Sequence, residues 1–390
     1  MYWSRYGRSV WQVRKLAATS SRYPACRPFS ARSEHMDQSV RSLLRYKRAS
    51  GVGLCVATLL GCLWLRRRKH DRRQRLLEGC VRVPLVPGHY EPNIVFYRYG
   101  GYVFPEQIVL SGVLQELPNF QARETDVIVA SFPKTGTTWV QEIVYMLTHD
   151  CRSSTDDDAT LETRFPYLEY PYPGLKTVAA TPGPRCIKTH LPYHLLPPSV
   201  TTAGAKVVYV TRNPRDTVVS YYHFARLLTS AGFIGTLDDF IDDFLDEKVP
   251  YSPFLSHVRE YRAAAAAASH DSLLCVSYEQ LTADPKGVVR AIAKHLNVAV
   301  SEEDVQFVVD HTSFSAMSNN KSVNYEHWKD IGFAHKDRGN FLRKGKIGDW
   351  ETSLNVEQKA RFASWEARNL RPDDAPFVYD VRSALEKYGR

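Results

Sequence analysis

The sequence predicts an α/β domain, a three-layer sandwich whose central parallel sheet of at least four strands is flanked by helices and carries its active site at the strands' carboxyl ends. Three observations carry this. Four short β-type runs, at 127–130, 186–189, 205–211 and 273–277, are spread along the chain. Segments with helical apolar spacing, such as 140–147 and 237–245, lie between them, and that alternation is the pattern of a sheet wound with helices. Two of the runs lead into turns that open a helix, one shaped by Pro133 and Gly136 and one by Asn213-Pro214.

In chain order, the first segment is strongly basic. Residues 1–75 hold 18 Lys/Arg against 3 Asp/Glu, a net of +15, and the whole chain carries +9, which leaves residues 76–390 at −6. The main region is therefore mildly acidic, and nucleic-acid binding loses the support that the positive total suggests. Residues 1–33 contain seven basic side chains and no acid, a composition shared by mitochondrial transit peptides and disordered basic tails. Gly51 to Leu65 is free of charge. As a helix it spans about 22 Å against a hydrocarbon core of about 30 Å, short for a membrane anchor unless flanking Arg and Lys snorkel. Arg66-Arg-Arg-Lys-His-Asp-Arg-Arg-Gln-Arg75 follows in place of a small-residue cleavage site. The expectation is an uncleaved membrane anchor with the catalytic domain facing the cytosol; a mitochondrial or a soluble cytoplasmic location is the alternative. The chain then divides into a basic, disordered or targeting segment (1–50), the candidate anchor (51–65), a basic linker (66–80) and the catalytic domain (81–390).

Residues 81–123 read as a lead-in rich in proline, glycine and aromatics, with helical spacing from Gln107 to Leu117. Next comes Ser131-Phe-Pro-Lys-Thr-Gly-Thr-Thr-Trp-Val-Gln-Glu-Ile143, which reads as strand, tight loop and helix. The backbone N–H groups of Gly136, Thr137, Thr138 and Trp139 fall at a helix N-terminus, where unpaired donors and the dipole favour an anion, and Lys134 adds a formal charge. Lys134 precedes Gly136, so this is not a Walker A loop and a kinase or ATPase reading is weak. Arg152–Asp158 reads as an exposed turn. Phe165-Pro-Tyr-Leu-Glu-Tyr-Pro-Tyr-Pro173 sets aromatics between prolines, which excludes regular helix, and these side chains either line a pocket for a flat acceptor or plug a core edge.

His190 leaves the second β-type run, and Lys134 leaves the first, so both lie where open α/β sheets bind ligands. A lone histidine is more often structural than catalytic, and its position raises the weight of the catalytic reading. Asn213-Pro214 starts a helix, with Arg212 at its N-terminal end and Ser220 two turns on, both able to reach one anion; the alternative for Arg212 is a surface ion pair. Helices are expected over Leu237–Leu245 and Ser256–Ser269, the second ending in an alanine tract. Phe341-Leu-Arg-Lys-Gly345 brings two cations beside a glycine that allows close backbone approach. No cluster of metal-ligand spacing is visible among the cysteines and histidines, so no metal requirement is expected.

Four ordered blocks together resemble the cytosolic-type sulfotransferases, which use 3′-phosphoadenosine 5′-phosphosulfate (PAPS). They are Pro133-Lys-Thr-Gly-Thr-Thr-Trp139, Pro184-Arg-Cys-Ile-Lys-Thr-His-Leu-Pro192, the run from Val207 through Arg212-Asn-Pro-Arg-Asp216 to Phe224, and Phe341-Leu-Arg-Lys-Gly-Lys-Ile-Gly-Asp-Trp350. The resemblance runs from about Pro84 to the C-terminus and implies a P-loop-like fold. It implies that Lys134, Thr135, Gly136, Thr137, Thr138 and Trp139 hold the donor's 5′-phosphosulfate, with Trp139 on the adenine ring. It implies that His190 is the general base, that Lys188 helps hold the sulfuryl group, and that Arg212 and Ser220 take the 3′-phosphate. Tyr278, Thr312 and Phe314 fall on the adenine side, and Phe341, Arg343, Lys344 and Gly345 complete the anion clamp.

The family's dimer motif has only its valine here, Val356, among Glu351, Asn355 and Ala360, so homodimerisation is left open. The function expected is in-line sulfuryl transfer from PAPS to a hydroxyl or amine of a small aromatic or alcohol acceptor, with no metal and no nucleic acid involved. A catalytically silent, membrane-tethered nucleotide-binding or interaction protein is the alternative.

Overall fold

The computed structural model describes residues 51–149, 159–267, 272–372, 374 and 376–389. The segment expected at 1–50, the turn expected at Arg152–Asp158 and the last residues of the helix expected over Ser256–Ser269 lie outside them. The chain divides into two units, residues 1–78 and 79–390. In the first, Gly51–Leu76 is one helix, so the expected basic linker is helical for most of its length. The expected membrane anchor finds no support: among the described residues no helix is long and apolar enough to cross a membrane. The uncharged run ends at Leu65 and the helix continues directly into Arg66, Arg67, Arg68 and Lys69, short of the roughly 20 apolar residues that a span needs.

The second unit opens with an antiparallel sheet of β1 (Val81–Arg82), β2 (Phe96–Tyr99) and β3 (Tyr102–Pro105). Gly100 and Gly101 join β2 to β3 at φ of 55° and 83°, the two positive values that a tight hairpin of matching twist requires. The helical spacing of Gln107–Leu117 is realised as two helices, Glu106–Ser111 and Val113–Glu116, broken where Gly112 adopts φ of 87°.

The main sheet consists of β4 (Val127–Ser131), β5 (Cys186–Thr189), β6 (Lys206–Thr211) and β7 (Leu273–Ser277), all parallel in the order β5-β4-β6-β7. Helices α1 (Thr137–Thr148), α2 (Pro214–Leu227), α3 (Leu237–Leu245), α4 (Phe254–Ala267), α5 (Pro285–His295) and α6 (Glu302–His311) accompany it. Val129 and Val208 are buried with Val144, Ile292 and Val305 of α1, α5 and α6. The next residue along β6, Tyr209, faces the opposite way, as strand periodicity demands, and stacks on Tyr261 of α4 at 4.0 Å. Both faces are thus covered, which is the three-layer arrangement expected.

From β5 the chain crosses β4 to reach β6, so the winding direction reverses beside β4, the place where open α/β sheets bind ligands. The register aligns the strand exits. Ala130 lies opposite Thr189, Ser131 opposite Val210, and Thr211 opposite Ser277. Phe132, His190, Arg212 and Tyr278 therefore leave the sheet along one edge.

Candidate active site

At the exit of β4 the chain turns tightly, with Lys134 at φ of 70° and Gly136 at 110°. A Cβ on Gly136 would stand 3.0 Å from Cδ2 of Tyr278, so glycine answers both the backbone and the close approach. Thr135 is buried, and its hydroxyl lies 2.8 and 2.9 Å from the carbonyls of Phe132 and Val210. Thr137 bonds the Ser131 hydroxyl at 2.5 Å. These two hydroxyls lock the loop to the sheet, while the first N–H groups of α1 have no intrahelical acceptor and remain for an anion. The Lys134 ammonium lies 3.9 and 4.5 Å from the ring centres of Phe341 and Phe224. Burial, then the charges of Lys188, Arg212 and Arg343, lower its pKa to about 7. Its formal charge is therefore conditional rather than fixed.

His190 is buried, and its Nδ1 donates to the carbonyl of Ser131 at 2.7 Å. A carbonyl only accepts, so the neutral ring keeps its proton on Nδ1 and its lone pair on Nε2. Burial and then Lys188 hold the imidazole well below its ordinary pKa. Tyr167 and Tyr251 present edges to the ring at 5.2 and 5.4 Å, with a 2.8 Å bond between their hydroxyls. Lys188 places its ammonium 4.6 Å from the Tyr167 ring centre, and burial lowers its pKa to about 8.

Beyond β6, Arg212 is buried, with Cζ 4.1 Å from the Tyr278 ring centre and Nη2 donating to the Lys346 carbonyl at 2.6 Å. Its Nε and the Nε1 of Trp139 are buried without partners. Trp139 meets Tyr278 edge-on at 5.6 Å. Asn213 caps α2 as expected, accepting from the Asp216 N–H at 2.8 Å. Ser220 is half-buried on the same helix. Arg343 and Lys344 both pair with Asp349, the second at 2.5 Å. Gly345 has φ of 64°, and a Cβ there would lie 2.2 Å from Cδ2 of Phe314, so that ring packs directly on the glycine. Thr312 is buried with its hydroxyl donating to Val308 of its own helix at 2.8 Å, so this hydroxyl is occupied inside α6.

The structure also brings forward residues that sequence reasoning passed over. Glu169 is fully buried; its carboxylate accepts from the His190 N–H at 2.7 Å and the Thr189 hydroxyl at 2.8 Å, and burial pushes its pKa up to about 7. It lies within the aromatic stretch already singled out, where its neighbours took the attention. That stretch divides between both expected roles: Phe165 and Leu168 are core, Tyr167 reaches the histidine, and Tyr172 is 60% exposed. Asp216, within the Arg-Asn-Pro-Arg-Asp block, accepts from the N–H groups of Gly348 and Trp350 at 2.9 and 3.0 Å and so ties the 343–350 segment to α2.

Buried Lys134 and Lys188, Arg212 with its unpartnered Nε beside Asp216, Arg343 and Lys344 sharing Asp349, and two glycine cradles gather a cluster of cations and donors suited to a large polyanion beside a neutral imidazole. Comparison with known proteins gives the class its name. The family model described as "Sulfotransferase domain" matches residues 124–372. Sulfotransferase 1A1 of Mus musculus is 34% identical over 301 residues, covering 76% of this chain and 98% of the relative. The Canis lupus familiaris protein of the same name is 37% identical over 262 residues, 66% and 87% of the two chains. Among solved structures, retinol dehydratase in complex with androsterone and inactive cofactor PAP matches with a TM-score of 0.67 at 27% identity, covering 78% of this chain and 95% of that one. The chain belongs to the sulfotransferase family, enzymes that move a sulfuryl group from PAPS to small acceptors.

Proposed function

We propose that residues 81–390 form the catalytic domain, and that His190 Nε2 takes the proton from a hydroxyl or amine of a small acceptor during sulfuryl transfer. The observation that carries this is the pairing of a tautomer-locked neutral imidazole with a cation cluster at aligned strand exits. A base with a lowered pKa is already deprotonated at neutral pH, so no fraction of the enzyme is idle for want of a free lone pair. When bound, PAPS supplies an activated sulfuryl group and an adenosine 3′,5′-bisphosphate leaving group. The residues fit that donor. The unpartnered Arg212 Nε and half-buried Ser220 suit a 3′-phosphate, as do Arg343, Lys344 and the backbone N–H groups beside Gly345. Trp139, Tyr278, Thr312 and Phe314 are assigned to the adenine side. Lys134 and the amides of Gly136, Thr137 and Thr138 would hold the 5′ end, where fixed donors stabilise charge that develops on the bridging oxygen. Lys188, over the Tyr167 ring and electrostatically felt by His190, is assigned to the transferring group.

The acceptor side is lined by Tyr167, Tyr170 and Tyr251, with Gln107 donating to the Tyr170 hydroxyl at 2.8 Å. Flat phenols and other ring alcohols fit such walls. The complex of retinol dehydratase with androsterone supports an acceptor of that size. The test is incubation with ³⁵S-labelled PAPS and a panel of phenols, steroids, amines and sugars. Label should pass to ring hydroxyls, and adenosine 3′,5′-bisphosphate rather than ATP should compete. Transfer to sugars alone, or competition by ATP, would refute the reading.

A further inference from the structure

His190 is held through its backbone as well as its ring, and the holder is α4, a helix outside all of the site motifs. Nε2 of His257 lies 3.0 Å from the His190 carbonyl oxygen, and the hydroxyl of Tyr261 donates to the Leu191 carbonyl at 2.8 Å. These side chains are one turn apart on one face of α4, so a single rigid element grips two consecutive peptide groups at the exit of β5. Because a carbonyl only accepts, His257 must carry its proton on Nε2. Its Nδ1 then accepts from the hydroxyl of Tyr209, 3.0 Å away on β6. The polarity of the chain from Tyr209 to His257 to His190 is thereby fixed.

His257 is fully buried, with Tyr209 and Tyr261 near-parallel to its ring at 5.7 and 5.4 Å and Phe132 edge-on at 5.7 Å. Burial lowers its pKa to about 4, which keeps the ring in the neutral form that this bond pattern needs. Glu169 accepts from the N–H of His190. Residue 190 is therefore bonded at both its N–H and its carbonyl, by different parts of the chain.

We propose that His257 and Tyr261 are positioning residues for sulfuryl transfer, fixing His190 by gripping the carbonyls of residues 190 and 191 from α4. The proposal rests on the reading of His190 as the base. A plain core role predicts lost stability only; a positioning role predicts lost turnover in molecules that still fold and still bind nucleotide. Misplacing a catalytic group by 1 Å can cost about a hundredfold in rate.

The experiment uses the full chain and compares wild type with His257→Leu, His257→Gln, Tyr261→Phe and His190→Ala. Rates are expressed per nucleotide site, counted by titration with adenosine 3′,5′-bisphosphate. His257→Leu should lower kcat about tenfold or more, within the range such misplacement allows, with nucleotide Kd unchanged. Tyr261→Phe removes one hydroxyl, should fold normally and should lower kcat less. His257→Gln, whose amide N–H can reach the same carbonyl, should recover most of the rate. Undiminished kcat per site in both His257→Leu and Tyr261→Phe would overturn the proposal. So would a tenfold loss that His257→Gln fails to restore. If His190→Ala itself keeps full turnover, the reading of the base fails instead, and that outcome is seen in its own variant.

Discussion

Lys134 is a cation that its own surroundings oppose. Burial and three neighbouring cations bring its pKa to about 7 and burial brings that of Lys188 to about 8, and a polyanion in the site would restore both toward ordinary lysine values. Binding should then take up protons between pH 7 and 10. Adenosine 3′,5′-bisphosphate affinity should fall as pH rises through that window and be nearly flat in this respect below it. Calorimetry in buffers of different ionisation enthalpy would show net proton uptake at pH 8; proton release would contradict the assignment. The same shift has a stability sign. A lysine whose folded pKa lies below its unfolded value destabilises the ligand-free fold below pH 7, and that cost fades as pH rises toward the unfolded value. Lys134→Met should therefore raise the ligand-free Tm at pH 6, with less effect at pH 10, while removing transfer. These charges were visible in the sequence as positions, but their conditional protonation was not, because it depends on burial and on cations that are 54 to 209 residues away along the chain.

At the scale of elements, the strand exits were readable because each has a local signature: a β-branched run followed by proline, glycine or a capping residue. Asn213 illustrates this, its cap being present as the Asn-Pro pair implies. The hairpin of β2 and β3 had a signal in Gly100-Gly101, yet its strands are only four residues long and their aromatics read as irregular. The tie from Asp216 to Gly348 and Trp350 was not readable, since it joins segments 132 to 134 residues apart. Asp216→Ala would leave two backbone N–H groups without acceptors, each costing about 1–3 kcal/mol. Its Tm should drop, and nucleotide Kd should rise with the loosened 343–350 segment. Gly345→Ala should act on binding more than on stability, because its Cβ would displace the Phe314 ring, 40% exposed, while straining a backbone at φ of 64°. Chemical denaturation and nucleotide titration of the two variants would separate these effects; unchanged nucleotide affinity in Gly345→Ala would contradict the placement of that segment.

For the molecule as a whole, charge and fold separate at the same place. The net positive charge lies before the boundary at residue 78, and the sheet, its helices and every assigned site residue follow it. A chain shortened to residues 79–390 should fold and transfer at a rate within about twofold of the full chain, since no assigned group is lost. The central claim is that a neutral His190 beside a cation cluster makes this chain a sulfotransferase, and single-turnover transfer of ³⁵S from PAPS in wild type, His190→Ala and Lys134→Ala tests it most directly. The account predicts that His190→Ala binds nucleotide normally but loses about 10²–10⁴-fold in transfer, the usual worth of a general base, and that Lys134→Ala loses transfer as well. Transfer by His190→Ala at the wild-type rate would contradict it.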